Sequence, residues 1–191
     1  IINAMVEDSQ GKIWVGTDFG LNLLIDPKKN LFRSFLKDIK ISSLTSDKRG
    51  MMWMGTSKGL MSLSKNGTVY KLNLYRTVNK QINSITDNLI NTLITDQHHI
   101  LWIGTSKGGL IKFDPNTGNT KRYSAAEKNL SSNSVRKILI DKSGLVWIGT
   151  QKGINILNPL TRKITVYQHD PDHVKSISQN SVYEIFQDNH G

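Results

Sequence analysis

The sequence predicts an all-β chain: a β-propeller fragment of four four-stranded blades plus the first strand of a fifth. Two recurrences carry that prediction. A short motif centred on Trp occurs four times, and an apolar run closing on Asp precedes each copy and then occurs a fifth time. The repeats fall at approximately 1–38, 39–87, 88–132, 133–179 and 180–191.

The Trp motif reads Gly11-Lys-Ile-Trp-Val-Gly-Thr17, Gly50-Met-Met-Trp-Met-Gly-Thr56, His99-Ile-Leu-Trp-Ile-Gly-Thr105 and Gly144-Leu-Val-Trp-Ile-Gly-Thr150. All four tryptophans of the chain, Trp14, Trp53, Trp102 and Trp147, hold the same place in it, spaced by 39, 49 and 45 residues. A propeller blade occupies roughly 40–50 residues. The upstream runs are Ile2 to Asp8, Ile41 to Asp47, Ile90 to Asp96, Val135 to Asp141 and Val182 to Asp188.

Each repeat resolves into four strands. Strand A, such as 135–140, meets a tight turn at Asp141-Lys-Ser-Gly144, where the Asp can hydrogen-bond its own turn and the Gly supplies a positive φ. His99 stands in for Gly in the third repeat, and His is among the residues that tolerate that region. Strand B carries the Trp. The turn Thr150-Gln-Lys-Gly153 leads to strand C at 154–157, and Asn158-Pro-Leu-Thr-Arg162 leads to strand D at 164–167. The C–D turn recurs as Asp26-Pro-Lys-Lys-Asn30 and Asp114-Pro-Asn-Thr-Gly118. No segment sustains a helical period.

Strand B is apolar throughout, as in Leu145-Val-Trp-Ile148, so both of its faces must be covered, as in a blade between two neighbours. Gly16, Gly55, Gly104 and Gly149 follow the Trp and would let a neighbouring blade approach closely. The indole offers a large surface to bury and an N–H that needs one partner. The Trp and Gly positions are therefore structural.

Composition bounds the function. With 37% hydrophobic residues the chain can bury a sizeable core, and without cysteine it has neither disulfides nor thiolate metal sites. It contains no apolar stretch of membrane-spanning length. Its first residue falls inside a repeat, which predicts a longer protein whose signal or anchor would lie outside this segment. The net charge of +10 favours anionic partners, but the basic residues are scattered and also suit a solvated surface.

From Asn133 to Gly153 the pattern Asn-Ser-Val-x-x-Ile-x-x-Asp-x-x-Gly-x-x-Trp-Ile-Gly-Thr-x-x-Gly resembles the two-component regulator propeller repeat. The second copy departs most, with a short D–A connection and Lys40-Ile41-Ser42 at its entry. The resemblance implies an extracytoplasmic, periplasmic sensor region of a hybrid two-component system of Bacteroidetes type, with seven-bladed propellers. It also implies an oligosaccharide ligand and a histidine kinase in the parent chain. A homodimeric parent is expected, with contact to the membrane only through parts outside this segment. Four blades cannot close a seven-bladed ring, so an open arc with exposed or self-associated edges is expected.

In a propeller the B–C turns and D–A loops share one face. Lys58, Lys107 and Lys152 hold B–C turn corners and would form a positive rim for an acidic sugar, although Lys also suits any exposed corner. Phe19 takes that place in the first blade, as a sugar-stacking platform or as a capped turn. Arg76, Lys80 and Lys128 lie in long D–A loops, where binding residues concentrate. His169-Asp-Pro-Asp-His173 has metal-ligand types, but Asp-Pro is ordinary turn chemistry, so loop contact with a ligand by His169 is the reading and no metal or cofactor is expected. Catalysis is not expected. Glycoside hydrolysis needs two facing carboxylates, and the three glutamates, Glu7, Glu127 and Glu184, are dispersed. Direct nucleic-acid binding is not expected either, because basic residues and exposed aromatics do not cluster. The alternative to a sensor is a protein-interaction or dimerisation platform with its ligand site elsewhere in the parent.

Overall fold

In the computed structural model, residues 1–67, 69–75 and 89–189 are described, and every regular element among them is a strand. The first blade comprises β1 (Ile2–Glu7), β2 (Ile13–Thr17), β3 (Gly20–Asp26) and β4 (Leu31–Lys37). The second comprises β5 (Ile41–Ser46), β6 (Met52–Thr56), β7 (Gly59–Asn66) and β8 (Val69–Tyr75). In the third are β9 (Ile90–Thr95), β10 (Leu101–Thr105), β11 (Leu110–Phe113) and β12 (Thr120–Tyr123). The fourth is β13 (Val135–Ile140), β14 (Val146–Thr150), β15 (Gly153–Leu157) and β16 (Ile164–Tyr167). Each blade is an antiparallel meander in chain order, as the four-strand reading predicts.

The repeat Asp does two jobs. One carboxylate oxygen braces its own A–B turn: Asp141 Oδ1 accepts from the amides of Ser143 and Leu145, both at 2.9 Å, and Asp8, Asp47 and Asp96 do the same in their blades. The other oxygen accepts the indole N–H of its own blade's Trp: Trp14 to Asp8 at 2.8 Å, Trp102 to Asp96 at 3.1 Å and Trp147 to Asp141 at 2.7 Å. The turn position ahead of strand B has φ of +75°, +79° and +79° at Gly11, Gly50 and Gly144, and +62° at His99.

Blades stack through the glycine after the Trp. A Cβ on Gly16 would lie 2.6 Å from Ile41, one on Gly55 2.7 Å from Ile90, one on Gly104 2.6 Å from Val135, and one on Gly149 2.8 Å from Val182. Each glycine thus receives the first side chain of the next blade's strand A. Ile41, Ile90 and Val135 are 0–2% exposed, and the inner strands pack in chain order, β1 on β5, β5 on β9 and β9 on β13. Ile2 is their equivalent in the first blade, yet it is 62% exposed. Among the described residues no strand covers that edge, and the four blades form an open arc.

Val182 fills the pocket over Gly149, and its amide donates to Thr150 O at 3.0 Å, but Val182 to Asp188 pairs with no strand among the described residues. Trp147 is half-buried, whereas Trp14, Trp53 and Trp102 are 3% exposed or less. Each of these buried indoles packs on aromatics of strand D: Trp14 on Phe35 and on Tyr70 of the next blade, Trp53 on Tyr75, and Trp102 on Tyr123. An aromatic side chain buries about 150–250 Å², worth roughly 4–6 kcal/mol before entropy is subtracted.

Two outcomes follow. Gly104→Ala will overpack against Val135 of the fourth blade and Thr92 of its own, and lower unfolding stability by about 1–3 kcal/mol in denaturant. Val135→Ala in the same chain will recover part of that loss, and two purely additive effects would refute the contact. The second outcome concerns acid. Burial tends to raise the Asp8 pKa, but the Trp14 indole and the Lys12 and Gln10 amides outweigh it and hold the carboxyl below its ordinary 3.8. The stability this gives is complete above that value and is lost as pH falls through the lowered one. Acid titration of Asp8→Asn, followed by unfolding, should show a shallower loss over that window than the parent.

Candidate functional site

The Thr that closes the Trp motif sets the B–C turns. Its hydroxyl donates to the carbonyl of the turn glycine, at 3.1 Å for Thr17 to Gly20, 2.7 Å for Thr56 to Gly59 and 2.9 Å for Thr150 to Gly153. The same oxygen accepts the amide of Phe19, Lys58 or Lys152 at 3.0–3.1 Å. One hydroxyl therefore fixes the backbone of each corner residue while leaving its side chain outside. The third turn, expected to end at Gly108, is one residue longer: Thr105 Oγ1 donates to Gly109 O, and Gly109 carries the positive φ of +82°. The consecutive glycines give this turn room for the extra residue.

The B–C turns and D–A loops do share a face. Asp38 N bonds to Phe19 O, Gly109 N to Asn133 O and Gly153 N to Asn180 O, so the first, third and fourth turns lean on the connection into the next blade. Lys58, Lys107 and Lys152 are exposed at successive corners and Phe19 is 74% exposed at the first. The first corner also differs in charge, since Asp18 stands where the others have Ser57, Ser106 and Gln151. The Asn3 side-chain amide, 3.0 Å away, and then Lys40 hold its carboxyl down to about 2.

His169 is exposed, but its ring Nδ1 lies 2.9 Å from Ile177 O and its amide donates to Asn180 Oδ1, so it closes its own loop. The 169–173 stretch is shaped by turn bonds, among them His173 N to Asp170 O. Gln168 Nε2 donates to Lys152 O at 2.8 Å, which sets this loop beside the fourth corner. Lys128 stands at φ +56° in the third D–A loop. Arg76 and Lys80 lie outside the described residues.

Sequence reasoning missed the wall of the central channel. In all four blades a register shift skips the second residue of strand A: Asn3, Ser42, Asn91 and Arg136. A β-bulge re-aims the skipped side chain. Here it points along the channel to the next blade: Asn3 Nδ2 donates to Ile41 O at 3.0 Å, Ser42 to Ile90 O, and Asn91 Nδ2 to Val135 O at 2.8 Å. Arg136 reaches Ser181 at 2.7 Å and lies 4.1 Å from the Tyr183 ring centre. Its hydrogen bond pulls the Tyr183 hydroxyl below its ordinary pKa. These residues line a space of about 460 Å³, where Lys137 also pairs with Glu184 at 2.7 Å. The available signal was a polar residue directly after the first apolar one in every strand A.

The family model described as "Two component regulator propeller" matches residues 1–19 and 129–152. Among solved structures, the chain is similar to the extracellular domain of BT3049 of B. thetaiotaomicron, described as a hybrid two-component system, at 18% identity and TM-score 0.58, covering 98% of this chain and 37% of that one. It is similar to PorZ, a surface component of the type-IX secretion system of Porphyromonas gingivalis, at 18% identity and TM-score 0.74, covering 96% and 29%. It also aligns with the extracellular domain of BT4673 of B. thetaiotaomicron at 25% identity and TM-score 0.48, covering 87% and 29%. The chain spans 29–37% of the length of these structures. No curated protein matches the chain significantly. The family match covers the stretches that hold the first and fourth Trp motifs, and the likeness to BT3049 and PorZ is one of fold.

Proposed function

We propose that this segment senses a ligand: it binds a polysaccharide-derived oligosaccharide, acidic in character, on the face of the B–C turns. The parent would be a periplasmic-facing hybrid sensor kinase and response regulator that passes binding on to transcription, working as a homodimer. In this reading the segment itself is a non-catalytic binding module. The observation that supports it most is the repeated corner: the Thr hydroxyl braces the amide of Phe19, Lys58 or Lys152 in three blades and that of Gly108, next to Lys107, in the third, and all four side chains are exposed. Fixed corners carrying cations and an aromatic ring suit a chain of acidic sugar units, since preorganised side chains lose little entropy on binding. The extracellular setting draws on the BT3049 likeness, and no helix among the described residues is long and apolar enough to cross a membrane.

A specific observation favours the platform reading. The outer strands of the first two blades expose apolar side chains, Leu31, Phe32, Val69 and Leu72, at 41–66%. Exposed apolar patches of sufficient size mark interaction surfaces.

Calorimetric titration of the full chain with neutral, uronic and sulfated oligosaccharides separates the two readings. Saturable binding of an acidic glycan, weakened about tenfold by each of Lys107→Ala and Lys152→Ala and further by salt, is the expected result. Binding that survives both changes would move the site off this face. Absence of binding, with concentration-dependent dimerisation abolished by Phe32→Ser, would replace the sensor with the platform.

A further inference from the structure

The second blade breaks the Asp–Trp rule that the other three obey. Trp53 is 1% exposed, yet its indole N–H has no hydrogen-bond partner among the described residues. Asp47, 8% exposed, keeps its turn bonds through Oδ1, but its Oδ2 lies 3.8 Å from His99 Nδ1, an atom that is itself buried and without a hydrogen bond among the described residues. The repeat differs at one neighbouring position. His99 occupies the turn position held by glycine elsewhere, and its ring extends from the third blade towards the preceding blade's Asp.

These groups line a cleft of about 190 Å³ between the second and third blades, on the A–B turn face opposite the lysine corners. Arg49, Lys65 and Asn116 also line it, with Arg49 joined to Asn116 by a 3.1 Å bond from Nη1 to Oδ1. A buried donor left without a partner costs about 1–3 kcal/mol, so its persistence beside a cavity calls for an occupant. The groups dictate its chemistry. A hydroxyl can accept from Trp53 Nε1–H and donate to Asp47 Oδ2 at once. A carboxylate at that position has no proton to give Asp47 Oδ2 and would meet its charge, and an apolar group would leave both partners unmet. A second, adjacent hydroxyl falls to His99 or to the Arg49–Asn116 pair. The volume is below the roughly 300–1,000 Å³ of pockets for drug-sized ligands, which limits the occupant to one ring.

We infer that this cleft is a second binding site, independent of the lysine face, that takes one neutral pyranose unit by its vicinal hydroxyls. The test uses the ¹⁵N-labelled full chain, following the four indole N–H signals by NMR while adding methyl glucoside, galactoside, mannoside or glucuronide. The Trp53 signal, assigned with Trp53→Phe, should move saturably with at least one neutral glycoside while those of Trp14, Trp102 and Trp147 stay. Asp47→Asn and the surface change Asn116→Ala should each weaken the response about tenfold. A Trp53 signal unmoved by every glycoside would overturn the site and leave ordered water as its occupant. Movement of all four signals together, or tighter binding of the glucuronide, would overturn the assignment as well.

Discussion

Everything in this arc depends on how closely one blade can approach the next. At Gly16, Gly55, Gly104 and Gly149 the receiving strand has no side chain, and the first β-branched residue of the following blade takes the space that a Cβ would need. That contact places the bulged residue of strand A within reach of the next blade's carbonyl, so Asn3, Ser42 and Asn91 can bond across the junction. It also lets an indole pack between strand D of its own blade and the aromatic of the next, as Trp14 does between Phe35 and Tyr70. A wider gap would lose packing and hydrogen bonds together, because dispersion and hydrogen bonding both fall steeply with distance.

The repeat divides labour between two faces. On one, the Thr hydroxyl sets the corner backbone and leaves the corner side chain free to vary, so Phe19 can stand where other blades carry Lys58 and Lys152. On the other, the repeat Asp links its turn to the indole, and there a variation is felt at once. His99 for glycine keeps the φ of +62° that the turn requires, yet its ring reaches Asp47 of the neighbouring blade, where the Trp53 N–H is left unbonded. Variation is tolerated where a side chain meets solvent, whereas a buried carboxylate with fixed donors has no slack.

Much of the fold was legible from residue order alone. The Asp and Gly of the A–B turns, the apolar strand B and the short connection into the second blade at 38–40 all announced themselves. Less of the corner face was. The exposure of Lys58, Lys107, Lys152 and Phe19 followed from turn chemistry, but His169 is drawn into its own loop by Ile177 and Asn180, partners that no local pattern points to. The third turn closes at Gly109 instead of Gly108, because two consecutive glycines leave the register open.

The sequence by itself determined the architecture, since periodicity, turn residues and a glycine after each Trp are local properties that a chain carries before it folds. Only the tertiary structure decided which groups meet across blades. Ile41 is wholly buried because Gly16, 25 positions earlier and one blade away, leaves room for it. The Trp53 cleft is decided in the same way, by a histidine 46 positions away along the chain and one blade away in space. Such contacts depend on the stacking of whole blades, and stacking is written in no single repeat.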